Sequence, residues 1–191
     1  MHGKAAIFHT PRGRMEICDV TLPAVEPDGI LVRIARANIC GSDLHIWRGE
    51  LDPRKRNWAL PRHQGHEMTG YIEKLGEGVT ADSDGQPLNE GDRVVYQYFF
   101  PCRRCKNCLA GRSRACPLRY AHTAVPCDQP PYFNGAWGDY FYLRPNHTVF
   151  KVPDHLSDDL VVGVNCAVGP APMLETIERM EAGTSARLSA Q

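Results

Sequence analysis

The stretch CRRCKNCLAGRSRACP, residues 102–117, places Cys102, Cys105, Cys108 and Cys116 within sixteen residues. Two cysteines separated by two residues can turn both sulfurs to one ion, and here that step occurs twice before a fourth thiol. Four thiolates suit zinc or an iron–sulfur cluster. The bacterial ferredoxin run closes with a shorter gap before its final Cys-Pro, whereas seven residues separate Cys108 from Cys116. Zinc takes four sulfurs tetrahedrally without redox change, and a site so filled has no position for substrate. The spacing predicts a structural zinc and sends the search for chemistry elsewhere. Two upstream segments answer it. CGSDLH, residues 40–45, supplies a thiol, a hydroxyl, a carboxylate and an imidazole in a short span, and GHEMTGYIEKLGEGV, residues 65–79, sets His66 beside Glu67. Together they hold ligands for an open zinc site and the groups to orient them.

The elements that must position these residues read mostly as strands. ILVRIARA, TGYIEKLG, RVVYQYFF, DYFYLR and TVFKV are short apolar or alternating runs, separated by turn-forming stretches such as PAVEPDG and TADSDGQPLNEGD. The expected fold class is mainly β, barrel-like or sandwich-like, with short helices and a zinc-binding lobe over about residues 98–120. PMLETIERMEAG reads as a helix, with Met173, Leu174, Ile177 and Met180 on one face, Pro172 at its start and Gly183 at its stop.

Lys plus Arg and Asp plus Glu balance at 22 each in 191 residues, which argues for no polyanionic partner. The N-terminal stretch has no apolar run of signal-peptide length, and LVVGVNCAVGPAPML is too short and too interrupted to cross a membrane. The expectation is a soluble, cytoplasmic protein with reduced thiols and no membrane partner. Arg103, Arg104, Lys106, Arg112 and Arg114 around the cysteines raise a rival, a zinc module that binds nucleic acid. That loop carries no aromatic residue to stack on a base, and cations beside four thiolates also offset their charge, so nucleic acid is not the expected partner.

Gly65, His66, Glu67, Gly70, Gly76 and Val79 fit the pattern Gly-His-Glu, two residues, Gly, five residues, Gly, two residues, small apolar residue. With CGSDLH, EGDRVV, the four-cysteine lobe, GAWGDYFYL and FKVPD in the same order, the sequence resembles the zinc-dependent medium-chain alcohol dehydrogenases over roughly residues 1–182. The resemblance implies a GroES-like β-barrel catalytic domain over residues 1–172, with 173–191 a helix leading towards a nucleotide-binding domain. It implies two zinc ions: a catalytic one held by Cys40, His66 and Cys166, and a structural one held by Cys102, Cys105, Cys108 and Cys116.

The same resemblance implies that Ser42 takes the alcohol proton and His45 passes it towards solvent by way of the cofactor ribose. Asp43 would orient the ligand histidine, and Glu67 would lie near enough to exchange with a ligand. Taken alone, Ser42 could equally be a helix N-cap, Asp43 a first-turn dipole partner and Glu67 a surface charge. Tyr98, Ile46 and Trp47 fall on pocket positions, while Cys18 and Cys127 match no ligand. The implied reaction is hydride transfer between a small alcohol or aldehyde and NAD or NADP, in proteins that can form homo-oligomers. No Gly-x-Gly-x-x-Gly fingerprint occurs, so the chain is expected to be the catalytic half without its Rossmann domain, and by itself neither to bind NAD(P) nor to oxidise alcohols.

Overall fold

A computed structural model describes residues 1–167 and 170–181. Strand β1 (His2–Phe8) turns Gly3, Ala5 and Ile7 inward and pairs antiparallel with β2 (Glu16–Thr21). The end of β1 also takes the short β4 (Arg62–His63), giving a three-stranded sheet ordered β2-β1-β4. A second antiparallel sheet runs β7-β3-β5-β6-β8, built from β3 (Ile30–Asn38), β5 (Glu67–Leu75), β6 (Arg93–Tyr96), β7 (Tyr140–Leu143) and β8 (Val149–Lys151). A bridge between Ala5 and Gly138 and the Ala6 N–H donating to the Trp137 carbonyl at 2.7 Å join the sheets, so the strands curve round a common core.

Period-two alternation divides the apolar start of β3 between two clusters. Ile30 and Val32 pack with Met68, Ile72, Tyr96 and Leu143, whereas Leu31 packs with Ala5, Ile7, Phe133 and Tyr142. Strands β3 and β5 come so close at Gly70 that an added Cβ would sit 2.2 Å from the Arg33 carbonyl oxygen, next to a register shift at Ile34. Only glycine permits that approach.

A third cluster lies outside the second sheet. Val95, Phe150 and Val152 meet Leu156, Val161, Val164 and Ile177, which seats α3 (Asp158–Val161), α4 (Val164–Ala167) and α5 (Pro170–Glu181). Helix α5 begins two residues before the predicted Pro172, since proline fits a first helical turn. Ile177 is buried and Met180 packs beside it, while the side chains of Met173 and Leu174, and Gly183, lie outside the described residues. The predicted strand at residues 93–100 ends at Tyr96, because the Phe100 N–H turns to the Arg119 carbonyl and the chain enters the cysteine lobe.

Helix α1 (Gly41–Arg48), which follows β3, the short α2 (Lys106–Leu109) in the cysteine lobe, and the whole β1–β2 pair have no counterpart among the predicted elements. Cys18 and Cys127 pack partly buried against the cluster around Phe133. Among the described residues no helix is long and apolar enough to cross a membrane.

Candidate metal centre and its cavity

Cys40 is the N-cap of α1, with an extended backbone at φ −77° and ψ 154°. Asp43, at the third helical position, accepts the Cys40 backbone N–H at 3.0 Å, and this cap replaces the one Ser42 was free to supply. Ser42 is instead left with its Oγ 3.3 Å from His66 Nε2. The Asp43 side chain is fully buried, and its Oδ1 also accepts from Gln64 Nε2 at 2.9 Å and lies 3.2 Å from His66 Nδ1. One carboxylate thereby fixes the helix start, the glutamine before Gly65 and the imidazole tautomer that presents Nε2.

His66 precedes β5, where Gly65 adopts φ +89° and an added Cβ would stand 2.5 Å from the Trp137 ring. Asn165 Nδ2 donates to the His66 carbonyl at 3.1 Å, so the residue before Cys166 ties α4 to the same point. Cys40 and Cys166 come from segments 126 residues apart, yet their sulfurs lie 3.9 Å from each other. One ligand atom each of Cys40, His66, Glu67 and Cys166 falls within 4.8 Å of every other. With zinc–sulfur bonds of about 2.3 Å, a tetrahedral ion sets its sulfurs about 3.8 Å apart, so these residues fit zinc. Burial alone would lower the His66 imidazole, but the hydrogen bonds and negative charge of Asp43 and of the Cys166 thiolate outweigh it and push the ring up to about 11.

The four lobe cysteines fit a second ion by the same test, with all four sulfurs within 4.8 Å, Cys105 and Cys108 at 3.5 Å, and Cys116 fully buried. Arg103 adopts φ +58°. The backbone N–H groups of Arg104 and Cys105 converge on the Cys102 sulfur and bring its thiol down to about 6. Arg103 itself is engaged: its Nη2 donates to Thr148 Oγ1 at 2.7 Å and to the Asn146 carbonyl at 3.4 Å, tying the lobe to the chain just before β8.

A cavity of about 290 Å³ opens beside His66, lined also by Ser42, Ile46 and Tyr98. Trp47 does not reach it. Its ring is partly exposed and donates to the Gly13 carbonyl at 2.9 Å, because one helical step turns it away from buried Ile46. His45 also lies outside the cavity lining, with its ring half exposed and Nδ1 paired with the Glu50 carboxylate. Glu50 escaped sequence reasoning. The available signal was Gly49, whose φ of +80° ends α1 and folds the chain back so that the Glu50 and Leu51 N–H groups reach the His45 carbonyl.

A family model described as the alcohol dehydrogenase GroES-like domain matches residues 26–154. The 5-exo-hydroxycamphor dehydrogenase of Pseudomonas putida is 33% identical over 174 residues, covering 87% of this chain and 44% of that protein. The L-threonine 3-dehydrogenase of Chromobacterium violaceum is 33% identical over 146 residues, 76% of this chain and 38% of that protein. An alcohol dehydrogenase from Thermotoga maritima superposes with a TM-score of 0.76 at 26% identity, covering 87% of this chain and 45% of that one. The chain thus spans less than half the length of these relatives. Since the match takes in both the signature around His66 and the cysteine lobe, the chain belongs to the alcohol dehydrogenase GroES-like domain family of oxidoreductases.

Proposed function

We propose that this chain is the zinc-binding catalytic domain of a dehydrogenase that moves hydride between a small alcohol or aldehyde and NAD or NADP. The observation that carries the reading is the convergence of Cys40, His66, Glu67 and Cys166, from separate segments, beside a cavity faced by Ser42. Cys40, His66 and Cys166 would hold the catalytic zinc, and Cys102, Cys105, Cys108 and Cys116 the structural one. Zinc bound at the first set supplies Lewis acidity to a substrate oxygen, and the nicotinamide supplies a hydride acceptor.

The remaining roles fall to the chain's own groups. Ser42, 3.3 Å from His66 Nε2, is placed to receive the hydroxyl proton of a substrate in the cavity. Glu50 holds His45 by Nδ1 and leaves its Nε2 to exchange protons with solvent or a cofactor hydroxyl. Asp43 keeps His66 in one tautomer, and Glu67 is the carboxylate near enough to take a ligand position in turn. Ile46 and Tyr98 exclude water from one wall.

The test is to join this chain to the cofactor domain of the camphor-alcohol relative and assay NAD and NADP reduction over a panel of alcohols. Zinc-dependent turnover that disappears in His66→Ala and Cys40→Ser is the expected result. A folded, zinc-loaded fusion that binds cofactor and turns over none of the panel contradicts the reading. Equal turnover in the His66→Ala variant contradicts the assigned site.

A further inference from the structure

The cavity beside His66 is also lined by Arg56, Arg62 and Arg119, with Trp58, His122 and Asn134. Among the described residues that line it, Asp43 is the one carboxylate, and both Asp43 oxygens are already engaged by Cys40, Gln64 and His66. Arg62 and Arg119 reach backbone carbonyls of His63 and Cys116, but no further carboxylate among the lining residues pairs with them.

Arg62 is the centre of this arrangement. Its guanidinium lies over the Trp58 ring at 4.7 Å, and its Nε reaches the His63 carbonyl at 3.3 Å. Its Nη1 is shut away from solvent without a hydrogen-bond partner, and so are both side-chain polar atoms of Asn134 and the Nδ1 of His122. A buried guanidinium nitrogen left unpaired is costly, and a planar guanidinium presents paired donors that match the oxygens of a carboxylate or phosphate. Burial lowers Arg62 only to about 10, with Asp43 opposing the fall, so the group stays charged at neutral pH. Arg119 stacks on Tyr120 at 4.7 Å and adds a second guanidinium to the wall, while Arg56 adds a third nearer solvent.

We propose that this cavity selects a compact hydroxy substrate carrying an anionic group, a carboxylate or a phosphate, which Arg62 and Arg119 bind while the hydroxyl faces Ser42 and His66. Placement of the hydroxyl rests on the dehydrogenase reading, whereas the anion site rests on the arginines alone. A volume of about 290 Å³ limits the ligand to a small molecule.

The anion site can be tested on the chain as it stands by following Trp58 in NMR or fluorescence titrations. The probes are 3-hydroxybutyrate, glycerol 3-phosphate and the neutral diol 1,3-butanediol. Binding of one or both anions about tenfold or more tighter than the diol is expected, and whichever anion binds tighter identifies the group. Arg62→Met removes the preference; should that variant fail to fold, the partly exposed Arg119→Gln must weaken it. Equal affinity for diol and anions overturns the proposal, as does a preference unchanged in both variants. The Cys40→Ser, His66→Ala variant keeps the anion preference. A fusion enzyme that oxidises only neutral alcohols sinks the anion site and leaves the dehydrogenase reading intact, while anion binding in an inactive fusion does the reverse.

Discussion

Replacing Asp43 with Asn probes how much of the metal centre depends on one buried carboxylate. Three donors reach it, the Cys40 N–H at 3.0 Å, Gln64 Nε2 at 2.9 Å and His66 Nδ1 at 3.2 Å, and its side chain is fully buried. Asparagine keeps one acceptor oxygen and turns an NH2 group towards at least one of those donors. Hydrogen bonds to a charged group are worth about 1.5–3 kcal/mol each, so losing one and opposing a second donor costs about 2–4 kcal/mol. For a chain of this size each kcal/mol moves Tm by roughly 2–4 °C, which predicts a fall of roughly 5–15 °C. The His66 tautomer is no longer fixed, and zinc affinity at this centre falls by about 10–100-fold, as it does when other outer partners of metal ligands are lost. Competition against a chromophoric chelator, resolving two zinc equivalents, measures this directly. One equivalent should weaken and the other stay as in the parent chain. If both affinities are unchanged, or the lobe zinc is the one that weakens, the orienting role given to Asp43 is wrong.

Other expectations are smaller in scope. Cys105→Ser leaves three thiolates unable to close the lobe site, so it should lower Tm more than His66→Ala does; the reverse order in parallel melts would exchange the structural and catalytic assignments. Gly65→Ala puts a Cβ into the Trp137 ring at a φ of +89°, and should cost about 2 kcal/mol or more while altering tryptophan emission; a melt within error of the parent contradicts the described turn. His63 is lowered to about 4 by burial and by Arg62, and His122 to about 3 by burial and by Arg144 and Arg62. Unfolded, both titrate near 6.5, so below that pH the unfolded chain binds more protons and stability falls as pH drops towards 4. Urea titrations should lose roughly 2–3 kcal/mol per histidine between pH 7 and 4.5, with a smaller loss in His63→Gln, and a flat profile contradicts the neutral buried state.

Much of the site was legible because local sequence carries it. The glycines around His66 answer close contacts with Trp137 and the Arg33 carbonyl, and the spacing of the four lobe cysteines already implied that their sulfurs would gather, as they do within 4.8 Å. Strands β7 and β8 and the first residues of β3 were legible because their apolar runs are buried. The β1–β2 pair was hidden because EICDVT is mostly exposed and gains its strand character from its partner. Helix α1 was hidden because Gly41 and the short polar run behind it are poor helix formers, held instead by the Asp43 cap and the Gly49 stop. The arginines at 56, 62 and 119 belong to no motif along the chain, and only the fold gathers them around one cavity.

The central claim is that Cys40, His66 and Cys166 hold one zinc while the lobe holds another, and metal content tests it most directly. Elemental analysis of dialysed chain, purified without chelators, should find about two zinc and no iron. About one should remain in a folded Cys40→Ser, His66→Ala double variant, and that remaining ion should be lost when Cys105 and Cys108 are also replaced. Folded protein free of zinc, or a Cys40→Ser, His66→Ala variant that still holds both ions, would contradict the account.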